Sequence, residues 1–132
     1  MRESVLDASV ILLWFAGSGD SNAVAARRLR AEFERGGLAI IAPPLLPFEI
    51  LNVCGRRWGW HDQALQELVG ALEDLALELV QPDLSVVARW VAGGLTAYDA
   101  AYVAVAEEAS IPLITSDEEI LRVAGPVAQP LA

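Results

Sequence analysis

Apolar residues in this chain fall into two alternating patterns, short runs of strand length and longer stretches in which they return every three or four positions. Residues 4–8, 38–42, 77–80 and 112–115 are short aliphatic runs bounded by turn formers or charges, and they predict four strands. Between the first two, the pattern predicts a short helix over 9–15, capped by Ser9 and stopped at Gly17, and a polar loop over 17–22. An amphipathic helix to Arg35 follows, with Val24, Leu29 and Phe33 opposite Arg27, Arg28, Arg30, Glu32 and Glu34, and Gly36-Gly37 ends it. Pro44 opens the next helix, which carries Leu46, Glu49, Ile50 and Val53 and runs out near Gly55 or Gly59. Helices over 62–75, 85–91, 96–109 and 117–123 complete the set, and 127–131 adds an edge strand. Strands and helices alternating at these lengths imply right-handed crossovers. The predicted fold is a three-layer α/β/α sandwich around a mostly parallel sheet of four to five strands.

That topology gives four scattered acids a common location. Asp7 closes the first strand and Asp117 follows the fourth, while Asp99 lies in the first turn of the helix before it and Glu49 near the start of the helix after 38–42. In an open parallel sheet, strand ends and the starts of returning helices share one edge, the usual ligand crevice. Three of the acids also have plain local explanations. Asp7 can cap the helix that Val10 begins, Thr96 and Asp99 can form a capping box, and Asp117 after Ser116 can cap its own helix with Glu119 completing Ser-x-x-Glu. Glu49 is harder to explain locally, because Leu45, Leu46, Phe48, Ile50 and Leu51 surround it and an ionised Glu in so apolar a setting needs a partner. Four carboxylates at one edge repel, and a bound cation removes that cost. Oxygen donors without Cys or His favour Mg²⁺ or Mn²⁺ over zinc.

Composition narrows the picture. A chain of 132 residues suits a single domain spanning 1–132, and a hydrophobic share of 55% leaves apolar surface for self-association. The net charge of −9 excludes a nonspecific nucleic-acid binder that relies on broad counterion release. All nine basic residues are Arg, the side chain shaped for bidentate phosphate contact. Arg27, Arg28 and Arg30 on one helix, and Arg56-Arg57 beside Trp58 and Trp60, are the candidates for a strand-binding surface, set against a plainer reading as a solvated helix face and core tryptophans. The lone Cys54 is expected as a buried thiol in a reducing cytoplasm, and His61 as a surface or capping residue. Proline at 43, 44 and 47 interrupts the most apolar region, so no membrane span is expected, and Glu3 and Asp7 break the resemblance of the N-terminus to a signal peptide.

Val5-Leu6-Asp7-Ala8-Ser9, the isolated Glu49, Thr96-Ala97-Tyr98-Asp99-Ala100-Ala101-Tyr102 and Ile114-Thr115-Ser116-Asp117 resemble, in order and spacing, the four signature segments of PIN-domain ribonucleases. The compact length is similar to that of the VapC toxins of prokaryotic toxin–antitoxin pairs. The resemblance implies that Asp7 and Asp99 are direct metal ligands, that Glu49 and Asp117 complete the acidic site, and that Ser9 or Thr115 supports it by hydrogen bonding. It also implies Mg²⁺ or Mn²⁺ as cofactor, RNA as substrate, a homodimer, and a small antitoxin as partner. Two other readings compete. An interaction module of the same fold would keep the acids as caps. Phosphoryl transfer through an aspartyl nucleophile is disfavoured by the absence of lysine.

Overall fold

A computed structural model describes residues 1–16 and 21–131. Strands β1 (Arg2–Leu6), β2 (Leu38–Ala42), β3 (Glu78–Leu79), β4 (Leu113–Thr115) and β5 (Ala128–Pro130) form one sheet in the order β3-β2-β1-β4-β5. Every neighbouring pair is parallel, where the sequence predicted only a mostly parallel sheet. The chain lays down β1, β2 and β3 in one direction, then returns past all three to place β4 on the other side of β1. Right-handed crossovers therefore put α1 (Ala8–Ile11), α2 (Ser21–Glu34), α3 (Leu46–Asn52) and α4 (Asp62–Leu75) on one face. They put α5 (Leu84–Ala92), α6 (Ala97–Ala109) and α7 (Glu118–Val123) on the other. The result is the three-layer sandwich, and its strand order reverses between β1 and β4.

The central strands are aliphatic because both their faces are covered. Val5, Leu6, Leu113 and Ile114 are buried, and the buried residues form one hydrophobic cluster that includes Ile11, Leu46, Ile50 and Tyr102. Helix α6 contributes most to it, with every residue from Ala100 to Ala106 buried. Four of those seven are Ala, so the helix lies close against β1, β2, β4 and α5. The Thr96 hydroxyl caps its start and Ser110, in the left-handed region at φ 56°, ends it.

Several boundaries differ from the sequence expectation for local reasons. β4 begins after Pro112, which has no N–H to give the ladder and contributes only its carbonyl, accepting from the Val5 amide at 2.9 Å. β3 shrinks to two exposed residues at the sheet edge. Asp7 rather than Ser9 occupies the cap position of α1, which gives way after Ile11 to a tighter 3₁₀ turn, Leu12–Trp14. The predicted stop at Gly17 and the first part of the predicted loop 17–22 lie outside the described residues, and α2 has already begun at Ser21. Pro44 stands in a turn before α3, and it is Pro47 that occupies the first helical turn. Beyond Asn52 the helix widens into a π-helical turn, Val53–Arg57, so Gly55 lies inside it and Gly59, at φ 70°, marks the break. Cys54 is buried, as expected, and burial pushes its thiol pKa up. Among the described residues no helix is long and apolar enough to cross a membrane.

Candidate active site

The β1–β4 register builds the centre of the site. Leu6 pairs with Ile114, so the next residues, Asp7 and Thr115, emerge side by side at the carboxyl ends of the strands where the order reverses. Thr115 Oγ1 donates to Asp7 Oδ2 at 2.5 Å and Ser9 Oγ donates to Asp7 Oδ1 at 2.5 Å. The same two hydroxyls accept from the next loop, Thr115 Oγ1 from the Asp117 amide at 2.9 Å and Ser9 Oγ from the Ser116 amide at 3.2 Å. Asp7 is only 4% exposed. Its carboxylate does not cap α1, since the Val10 and Ile11 amides donate to its backbone carbonyl instead, at 3.2 and 3.3 Å. The Asp7 carboxylate therefore makes no cap hydrogen bond, although the Val10 amide still favours its charge, and the sequence expectation that Ser9 caps the helix is corrected to a bond from Ser9 to Asp7.

The other three acids surround this pair. Asp117 does cap its helix, accepting from the Ile120 amide at 3.0 Å, but the Ser116–Glu119 box does not form because Asp117 itself holds the cap position. Asp99 is half-buried in the first turn of α6, with its amide donating to Thr96 Oγ1 at 3.1 Å, so Thr96 supplies the cap. Glu49 Oε1 accepts from the Tyr102 hydroxyl at 2.6 Å. Tyr102 is 2% exposed and rises from the core one helical turn after Asp99.

The electrostatics show that the four acids share one field. Burial raises the pKa of Asp7, the Ser9 and Thr115 hydroxyls and the Val10 amide pull it back, and Asp117 pushes it further up. Glu49 is raised by burial and by Asp99 and Asp7, against the Tyr102 hydroxyl. Asp99 is raised by burial, Asp117 and Glu119, against Thr96. Among the described residues the ion pairs Arg2–Glu32, Arg30–Glu34, Arg89–Glu107 and Arg122–Glu119 leave these four acids aside. The excess negative charge suits a cation, and the donors are all oxygen. Among the described residues no three of them are drawn together tightly enough to enclose an ion.

Sequence reasoning missed two contributors. Tyr102 carried a signal, standing three residues after Asp99 on the same helical face. Glu119 was read only as half of a capping box, yet its charge reaches Asp99.

The two arginine groups separate. On α2, Arg30 is tied up, bonded to Glu34 at 2.8 Å with its guanidinium 5.5 Å from the Trp14 ring centre, while Arg28 is exposed and Arg27 also has a partner. Arg56 and Arg57 are exposed on the π-helical turn. Trp58 and Trp60 are not the core residues of the plainer reading: Trp58 is 39% exposed and Trp60 half-buried. His61 is exposed at the cap position of α4 without a side-chain cap bond.

A parallel α/β sandwich with acids at its strand-order reversal is an arrangement suited to metal-assisted chemistry on phosphate esters. Residues 4–126 match the PIN domain, and the chain belongs to the PIN-domain family, whose members are in general nucleases using divalent metal ions. The crystal structure of PAE2754 from Pyrobaculum aerophilum is similar to this one, with a TM-score of 0.68 and 28% sequence identity over 98% of this chain and 90% of that one. No curated protein matches the chain.

Proposed function

We propose that this protein is a metal-dependent endoribonuclease in which Asp7, Glu49, Asp99 and Asp117 hold Mg²⁺ or Mn²⁺. The observation that carries the reading is Asp7, 4% exposed at the β1–β4 reversal and held by the Ser9 and Thr115 hydroxyls, with burial and then neighbouring acids raising it, Glu49 and Asp99. A bound ion supplies an activated water and stabilises charge on the phosphate and leaving oxygens. The chain's own part is to fix its acceptors. Ser9 and Thr115 immobilise Asp7 while leaving each of its oxygens a further lone pair, and Tyr102 occupies one oxygen of Glu49 and leaves the other free. No histidine base is needed, in keeping with His61 at the surface.

A non-catalytic binding module with the acids retained as caps is the competing reading, and it leaves Asp7 unexplained, because that buried carboxylate makes no cap hydrogen bond. The toxin role, a small antitoxin partner, a homodimer and a cytoplasmic setting for a single domain belong to the same proposal. What supports self-association or partner capture is exposed apolar surface, with Phe48 74%, Leu84 72% and Tyr98 66% exposed. Calorimetric titration of Mn²⁺ into the wild type and Asp99→Asn, alongside cleavage of a single-stranded RNA, tests the nuclease. Binding and cleavage lost together in the variant are expected; cleavage by metal-free Asp99→Asn overturns it.

A further inference from the structure

The helix that carries Glu49 does not end as an ordinary helix. After Asn52 it continues as the π-helical turn Val53–Arg57, with the Trp58 amide donating to the Val53 carbonyl at 3.0 Å. Such turns are rare and concentrate at functional sites. Gly59 then reverses the chain at φ 70°, a conformation that side-chain-bearing residues resist; a Cβ there meets nothing within 4 Å, so backbone conformation and not space requires the glycine. The reversal brings the two indoles onto one side, their centres 5.9 Å apart and their planes tilted by 51°. Together with Phe15 and Ala16 they wall an open cleft of about 400 Å³.

Charge makes this cleft different from the other apolar surfaces of the molecule. Arg56 and Arg57 directly precede it, are exposed, and take part in none of the ion pairs that occupy Arg2, Arg30, Arg89 and Arg122. On a chain of net charge −9, two adjacent guanidinium groups without an ion pair among the described residues, next to a solvent-facing indole, are a local exception. Arg pairs the phosphates of a flexible strand and aromatic faces stack its bases, a combination that double-stranded nucleic acid, with its bases already stacked, does not satisfy. The arginines lie about two helical turns further along the rod than Glu49, away from the acidic site.

We propose that the turn formed by Arg56, Arg57, Trp58 and Trp60, with Phe15, is a stacking subsite for an unpaired base of single-stranded RNA, and that it holds the strand to one side of the acidic crevice. The inference rests on RNA being the substrate of the reading above. It adds a contact for the strand that lies outside the metal site.

Binding of an end-labelled, mixed-sequence single-stranded RNA in EDTA, followed by fluorescence anisotropy, tests it without metal or turnover. Trp58→Ala is expected to weaken binding by roughly 5- to 100-fold, the range of one base–aromatic stack, and Trp58→Phe to restore most of it. The double substitution Arg56→Gln, Arg57→Gln is expected to reduce the slope of log affinity against log salt by about 1.4, two single-strand phosphate contacts. A duplex of the same sequence is expected to be indifferent to Trp58→Ala. Wild-type affinity in folded Trp58→Ala, or no rescue by Phe, overturns the subsite and leaves the turn as a docking face for another class of macromolecule. Absence of any metal-free RNA binding by the wild type also overturns it, whereas Mn²⁺ binding that Asp99→Asn abolishes leaves the nuclease reading intact.

Discussion

The two ends of the helical rod formed by α3 and the π-helical turn are chemical opposites. At its start Glu49 points into a group of acids whose charges push one another's pKa values upward. At its far end Arg56 and Arg57 stand exposed beside tryptophan. A net charge of −9 conceals this separation. The acidic end is half-buried, hydrogen-bonded and pre-organised, as suits ligation; the basic end is exposed and, among the described residues, without an ion pair, as suits a partner arriving from solvent. Global charge argues against indiscriminate nucleic-acid binding, but it carries no information about a polar axis inside one helix.

The largest break in this contrast comes from the acidic end. Asp99→Asn is expected to lower RNA cleavage by roughly a hundredfold or more while the fold, read by circular dichroism, is kept, because an electrostatic contribution to the reacting centre is lost and no core atom is removed. Thr115→Val comes next. It keeps the shape but strips the hydroxyl that donates to Asp7 and accepts from the Asp117 amide, leaving both without that partner in a fully buried place. A loss of about 2 kcal/mol, seen as a lower midpoint in denaturant, is expected. Tyr102→Phe sharpens the comparison, since it leaves the core ring in place and frees only Glu49. Mn²⁺ affinity is expected to fall roughly tenfold by calorimetry, as for other groups that orient a ligand, with little change in melting temperature.

The smallest expected effect is on pH dependence. Asp7, Glu49 and Asp99 have folded pKa values above their ordinary 3.8, 4.5 and 3.8, so the folded protein binds protons more readily than the unfolded chain. For these groups stability must fall as pH rises through the interval between the ordinary and the raised values. Asp83, lowered by its bonds to Ser85, acts in the opposite sense at the surface. Comparing melts of metal-free wild type and Glu49→Gln isolates the first effect. The wild type is expected to lose ground to the variant as pH rises, and saturating Mn²⁺ to reverse that order.

Most of this was legible in the sequence because the signals were periodic or local. Strand runs of aliphatic residues, and acids placed just after them, follow from a parallel sheet with both faces covered. What the sequence did not show was which neighbour across the sheet would satisfy each side chain. That Thr115 lies beside Asp7 is a matter of β1–β4 register, and that Tyr102 reaches Glu49 depends on how α6 packs against the sheet from the face opposite α3. The plainer of two readings put the tryptophans at 58 and 60 in the core; the indole that is buried is Trp14, whose Nε1 donates to the Ala26 carbonyl at 2.8 Å. Composition gives no hint of a π-helical turn, which comes from how the backbone closes on Gly59.

The unbroken burial of α6 from Ala100 to Ala106 has a dynamic corollary. Amides in such a helix have no local opening that exposes them, so they exchange with solvent hydrogen only when the whole domain unfolds, whereas a two-residue edge strand such as β3 frays on its own. Tyr102 thus rides on the element expected to exchange slowest, with Asp99 one residue before its fully buried span. The geometry they set is expected to outlast the fraying of the sheet edge.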